Sequence, residues 1–186
     1  MKNKTNPALR KVCITAMLTA LSVVIGIFCK NFFTWQIYYR VTFENLPLIM
    51  VGYCFGPVWG FAAAVIADLV SCLCSVNPAV NPIITCGAAL VGILSGTVPA
   101  LARAAGKKYN AKLTLALSVA SAHLFGQVIV KSIGKIVFYA MPWVGVFIGL
   151  GISCVVGVAE FFLIRLILKI REIGKIMKEL SGHELL

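Results

Sequence analysis

Charged residues are scarce in this sequence. Asp, Glu, Lys and Arg make up 12% of its 186 residues, about half of the 25% that is usual in soluble domains, and 60% of the residues are hydrophobic. With a mean hydropathy of +0.97, the chain has too little polar surface for a soluble domain of this length. Its apolar runs are continuous rather than alternating, which argues against a transmembrane barrel. The composition predicts an all-α membrane protein.

Acidic residues are scarcer than basic ones, with 6 Asp and Glu against 17 Lys and Arg. The cations lie between apolar runs and are not interleaved with exposed aromatics, so we expect no nucleic-acid partner. Of the 17 cations, 13 fall in residues 1–11, in residues 103–112 and from Arg165 onward. Because cytoplasmic loops carry the excess of Lys and Arg, the sequence predicts that both termini are cytoplasmic.

Catalytic and cofactor motifs are absent. The sequence has no nucleophile elbow, no H-E-x-x-H and no phosphate-binding loop. Its seven cysteines include no C-x-x-C pair, which argues against a zinc site and a disulfide framework, and we expect buried free thiols. We therefore expect no enzyme activity, no metal and no cofactor, and any ATP-driven transport would need another subunit as its motor.

Six apolar segments organise the chain. We predict a basic start at 1–11, a six-span substrate-binding bundle at 12–170 and a cytoplasmic tail at 171–186 that lies along the membrane surface. Gly56-Pro57 ends the short second span, since proline disfavours helix at the preceding residue. The predicted spans are 12–29, 43–55, 57–75, 83–102, 113–139 and 144–168.

Some polar residues inside the spans are not explained by topology. Placing an ammonium at mid-bilayer costs about 2.5–3.5 kcal/mol, so the position of Lys131 within a predicted span requires an explanation. His123, Gln127, Lys131 and Lys135 are spaced four apart, which predicts a polar stripe facing an outward-open cavity. The alternative is that the lysine side chains reach the outer headgroups.

Three acids have open roles. Glu44 lies four residues after Arg40, and the two can pair with each other or face a ligand. Glu160 is expected to pair with Arg165 near the cytoplasmic end. For Asp68 the sequence favours neither a structural nor a functional role.

Two further features allow two interpretations each. The aromatic stretch 30–42, which includes Trp35, is typical of an interfacial belt but also suits a lid. Ala16 and Ala20 put small residues on one helix face, either for packing within the bundle or for a partner helix.

Several motifs together resemble a known family, the substrate-binding S components of energy-coupling factor (ECF) vitamin transporters. Ala16-x-x-x-Ala20 is similar to that family's docking motif. The motifs most similar to the folate-specific members are Arg40-Val-Thr-Phe-Glu44-Asn-Leu-Pro47, Phe55-Gly-Pro-Val-Trp-Gly60, Ala67-Asp68 and Asn81-Pro-Ile-Ile-Thr85-Cys-Gly-Ala-Ala89.

The resemblance implies a mechanism. A protein of this family in a bacterial plasma membrane captures its vitamin outside the cell and then docks on a transmembrane coupling subunit, which two ATPases drive. For a folate, Arg40 and Lys131 would bind carboxylates, aromatic walls would come from Trp35 and Trp143, and polar side chains would hold the pterin edge. The implied substrate-binding residues are Trp35, Arg40, Glu44, Asn45, Asn81, Thr85, His123, Gln127, Lys131 and Trp143.

Other functions remain open at this point. One is an S component for a smaller acid such as pantothenate. Another is a solitary secondary carrier, although such carriers usually show internal repeats and none is convincing here. A third is a non-transporting interaction or enzyme subunit.

Overall fold

A computed structural model describes residues 6–32, 41–74, 81–105, 110–140 and 142–182. Every regular element in these ranges is helical. The elements are α1 (Pro7–Phe32), α2 (Asn45–Phe55), α3 (Pro57–Leu73), α4 (Pro82–Ala104), α5 (Ala111–Ser121), a π-helix (Ala122–Val130), α6 (Lys131–Tyr139), α7 (Trp143–Lys169) and α8 (Arg171–Ser181).

Four stretches of helix are long and apolar enough to cross a membrane, namely Pro7–Cys29, Pro82–Ala104, Ala111–Phe138 and Trp143–Lys169. The third of these runs unbroken through α5, the π-helix and α6. Two shorter apolar helices, α2 and α3, complete the set. The predicted all-helical, multi-pass membrane protein is confirmed, while the count of six spans and their orientation stay predictions.

The centre of the bundle is α2. All 11 of its residues are buried, and it packs against α1, α3 and α4. A helix that is apolar all round is expected to lie inside a bundle. It ends where the sequence predicts, because Gly56 adopts φ +99°, a conformation that favours glycine, and Pro57 then begins α3.

Glycines let α3 and α4 approach closely. A Cβ atom on Gly60 would collide with the backbone carbonyl of Gly92, and one on Gly92 would collide with that of Gly60. Small residues at such a crossing bring two helix backbones into contact, which is how membrane helices gain packing energy.

The helix α8 packs against the end of the bundle near the start of α1. Its Met177 is buried in the core, and its Glu179 accepts a hydrogen bond of 3.1 Å from Arg10. At the same end, Lys11 donates to the carbonyl oxygen of Phe55, 3.4 Å away, at the C-terminus of α2. A cation there also complements the helix dipole.

Candidate functional site

A buried ion pair joins α6 to the segment before α2. Nζ of Lys131 lies 3.6 Å from Oε1 of Glu44, and the two side chains are 6% and 13% exposed. Since α2 is 11 residues long, about 16 Å at 1.5 Å per residue, Glu44 lies roughly half a bilayer thickness from Phe55 at its other end. The pair is therefore buried in the bundle, away from the end at which Phe55 meets Lys11.

Two residues of α1 accommodate Glu44. The hydroxyl of Ser22 donates a 2.6 Å hydrogen bond to the carbonyl oxygen of Glu44. Gly26 leaves room for the carboxylate, because a Cβ atom there would lie 2.9 Å from Oε2 of Glu44. The middle of α1 thus fixes the position of this acid.

Lys131 reaches Glu44 across α4. A Cβ atom on Gly87 would lie 2.7 Å from Cγ of Lys131, so the lysine stem passes directly over this glycine. The distance of 3.6 Å to Glu44 is too long for a hydrogen bond. Within the described part of the chain, the ammonium of Lys131 has an ion-pair partner but makes no hydrogen bond.

A second acid faces the same space from α3. Oδ2 of Asp68 accepts a 2.7 Å hydrogen bond from the hydroxyl of Thr85, in the first turn of α4. Asn81 fixes that turn, since its side-chain oxygen accepts from the backbone N–H groups of Ile83 and Ile84 at 3.0 and 3.3 Å. Asn81 is therefore an N-cap residue, and Thr85 orients Asp68.

Glu44, Asp68 and Lys131 border a small void of about 10 Å³, at the lower limit for one water molecule. Asn45 borders it, is 1% exposed, and its Nδ2 has no hydrogen-bond partner in the part of the chain that the structure describes. Ligand sites usually measure hundreds of cubic ångströms, so a substrate must widen this space. The void is lined by Ser22, Glu44, Asn45, Leu48, Ala64, Ala67, Asp68, Ser71, Ala88 and Lys131.

His123 belongs to a different cluster. Its Nε2 lies 2.8 Å from Oε2 of Glu160 and its Nδ1 lies 3.2 Å from Oγ of Ser153, both on α7. The expected pairing of Glu160 with Arg165 is wrong, because the acid faces the π-helix instead.

The predicted polar stripe is divided between the two clusters. His123 contacts α7, whereas Lys131 contacts Glu44 and α4. A π-helix, in which hydrogen bonds span five residues instead of four, covers most of the segment between the two residues. Residues eight apart are also offset by about 80° in a regular α-helix at 3.6 residues per turn, so the four-residue spacing does not keep His123 and Lys131 on one face.

A larger groove lies between the π-helix and α7. Its volume is about 440 Å³, and its lining is apolar except at His123 and Ser153. Trp143, at the start of α7, is 74% exposed and does not line this groove. The residues at the groove are Ala116, Val119, Ala120, His123, Leu124, Val128, Leu150, Ser153, Cys154, Gly157, Val158 and Phe161.

The remaining candidates have varied positions. Oε1 of Gln127 is buried without a hydrogen-bond partner among the described residues. Ala16 and Ala20 are exposed on the outer face of α1. Trp35 and Arg40 lie outside the described residues.

Other groups differ from what the sequence suggests. Of the seven free cysteines, only Cys29 and Cys54 are buried, so the expectation of buried thiols is wrong for most of them. The sequence analysis did not single out Ser22 or Ser71, which no local pattern distinguishes from other serines of membrane helices.

Comparison with known proteins agrees with this architecture. Over 53 residues the chain is 42% identical to the Uncharacterized protein MG313 homolog of Mycoplasma pneumoniae, a match that covers 28% of this chain and 18% of that protein. The chain thus spans less than a fifth of that relative's length. Residues 10–170 match the family described as ECF transporter, substrate-specific component. This range includes the residues of both clusters. The chain belongs to the family of ECF transporter substrate-specific components.

Proposed function

We propose that this protein is the substrate-capturing subunit of an ATP-driven vitamin importer, and that its substrate is a folate or a close chemical relative. The observation that carries the proposal is Lys131. It is a lysine 5% exposed within the bundle, whose ammonium has no hydrogen bond to a described residue and faces a polar void.

The energetics favour a ligand at this position. Burial of an ammonium is expensive, and an ion pair at 3.6 Å offsets only part of the loss of hydration. A hydrogen bond between a charged donor and an acceptor contributes about 1.5–3 kcal/mol. At 1.4 kcal/mol per decade, one such bond from Lys131 changes affinity by roughly 10- to 150-fold.

The energy for uptake comes from other subunits in this proposal. The sequence has no phosphate-binding loop, so the chain would dock on a transmembrane coupling subunit that two ATPases drive. The exposed small-residue face at Ala16 and Ala20 supports α1 as the docking helix, because small side chains let a second helix approach closely.

A binding experiment tests the substrate. The purified protein is analysed by mass spectrometry for co-purifying vitamins and is then titrated with folate. We expect folate to bind and Lys131→Met to weaken it at least tenfold, while Lys112→Met, an exposed lysine at the start of α5, leaves affinity unchanged. Binding of pantothenate instead of folate would remove the folate assignment.

A further inference from the structure

We infer that the polar void receives the nitrogen-rich ring edge of the substrate, with Asp68 as the residue that selects it, and that the substrate's carboxylates lie elsewhere. The inference rests on the proposed function and specifies which end of the molecule enters the bundle. It also assigns a role to Asp68 and changes the one expected for Lys131.

Charge is the first reason. The described groups that border the void include two carboxylates, Glu44 and Asp68, and one ammonium, that of Lys131. Lys131 pairs with Glu44, and no ion pair in the described ranges involves Asp68. A substrate carboxylate here would be a third acid among described groups that supply one cation, and like charges in a low-dielectric site repel strongly.

Hydrogen-bonding capacity is the second reason. Asp68 accepts one bond from Thr85, and a carboxylate has about four acceptor positions. Intramembrane acids usually face a base or a polar partner, so its remaining capacity favours N–H donors from a ligand. Two neighbouring N–H groups of a planar ring match the two oxygens of a carboxylate.

Asn45 supplies an independent observation at the same void. Its amide is 1% exposed, and its Nδ2 has no acceptor within the described residues. Buried polar groups are rarely left without a partner in folded proteins. A ring that carries a carbonyl or ring nitrogen beside its N–H donors would satisfy Asn45 and Lys131 as well.

Size is the third reason. Asp68, Asn45 and Lys131 all border one void of about 10 Å³. Groups that close together can surround a single ring edge, whereas the two ends of an extended folate are separated by its benzoyl ring. The ligand class that fits is an aminopyrimidinone-type heterocycle, in which two donors and an acceptor lie on one edge.

Fragments of folate test the assignment. Pteroate keeps the heterocycle and lacks the glutamate, and p-aminobenzoylglutamate keeps the glutamate and lacks the heterocycle. We expect the wild-type protein to bind pteroate within tenfold of folate and p-aminobenzoylglutamate far more weakly. Asp68→Asn and Lys131→Met should each weaken folate and pteroate by the same factor, at least tenfold.

Controls separate binding from folding. Asp68→Asn conserves the shape of the side chain, and Thr85→Val removes the hydroxyl that orients it, so Thr85→Val should weaken pteroate by a smaller factor. Glu172→Gln removes an exposed acid on α8 and should change nothing. Thermal unfolding of each variant in detergent verifies that the fold is intact.

The outcomes are distinct. If Lys131→Met leaves the affinity for pteroate unchanged while it lowers the affinity for folate, the glutamate lies at Lys131 and this inference alone is overturned. Unchanged pteroate affinity in Asp68→Asn would do the same. If the wild-type protein binds neither folate nor pteroate, both this inference and the folate assignment are overturned.

Discussion

Nε2 of His123 lies 2.8 Å from Oε2 of Glu160, which joins the π-helix to α7 inside the bundle. The Glu160 side chain is 0% exposed and that of His123 is 8% exposed. A fully buried acid with a close base is held in place by its partner, because removal of one member leaves the other buried without compensation. The contact therefore fixes the position of α7 relative to the π-helix.

Glu160→Ala should destabilise the protein by about 3–5 kcal/mol, since it leaves His123 without its closest partner and opens a cavity. Glu160→Gln keeps the hydrogen bond and should cost less. Chemical unfolding in detergent micelles, followed by tryptophan fluorescence, measures both. A double-mutant cycle of Glu160→Ala with His123→Ala should show a coupling free energy of about 0.5–3 kcal/mol. Strictly additive effects on the free energy of unfolding would mean that the contact contributes nothing.

Gly92→Ala should destabilise the protein by about 1–3 kcal/mol, because the new methyl group overlaps the backbone of Gly60 and neither backbone can move aside cheaply. Gly149→Ala is a matched control in a helix, since a Cβ atom there meets no described atom within 4 Å. It should be neutral or stabilising by up to about 1 kcal/mol, the helix propensity of alanine over glycine. Thermal unfolding midpoints compare the two, and equal shifts would contradict the close approach of α3 and α4.

The helix boundaries could be predicted from the sequence because local residues encode them. Gly56-Pro57 separates α2 from α3 where expected, and the described ends of α2, α3, α4 and α7 lie within a few residues of the predicted spans. The uniform apolar character of α2 also agrees with its central position.

The contacts of the acids could not be predicted in the same way. Glu160 contacts a residue 37 positions away, and Asp68 contacts Thr85 on the next helix. Such pairs depend on how the helices rotate against one another. The π-helix changes that rotation for Lys131, and no residue between Ala122 and Val130 signals it locally. A spacing of four drifts by about 40° per step even in a regular α-helix, so it predicts one face only over a short stretch.

The orientation is tested by reporter fusions. Since 13 of the 17 cations fall on one predicted side, both termini should be cytoplasmic. Alkaline phosphatase, which is active only outside the cytoplasm, should be silent when fused at residue 1 and at residue 186. A fusion after residue 141, in the predicted outer turn, is the positive control. One active terminal fusion would contradict an even number of spans.

The docking face of α1 leads to the sharpest separation between transport and binding. Ala16 and Ala20 are exposed, whereas Thr15, Thr19 and Ser22 on a different face of α1 are buried in the bundle. Ala16→Trp with Ala20→Trp adds bulk only on the outer face, so it should leave the affinity of the isolated protein within about twofold of wild type, a difference of roughly 0.4 kcal/mol. Uptake by whole cells that also express the coupling subunits should fall to background, because a partner helix can no longer approach.

Val155→Trp places the same side chain on the exposed surface of α7, where Val155 is 72% exposed, and should leave uptake unchanged. Uptake at the wild-type rate in the double alanine variant would show that α1 does not dock through this face, and an equal loss of affinity would show that the alanines pack inside the bundle.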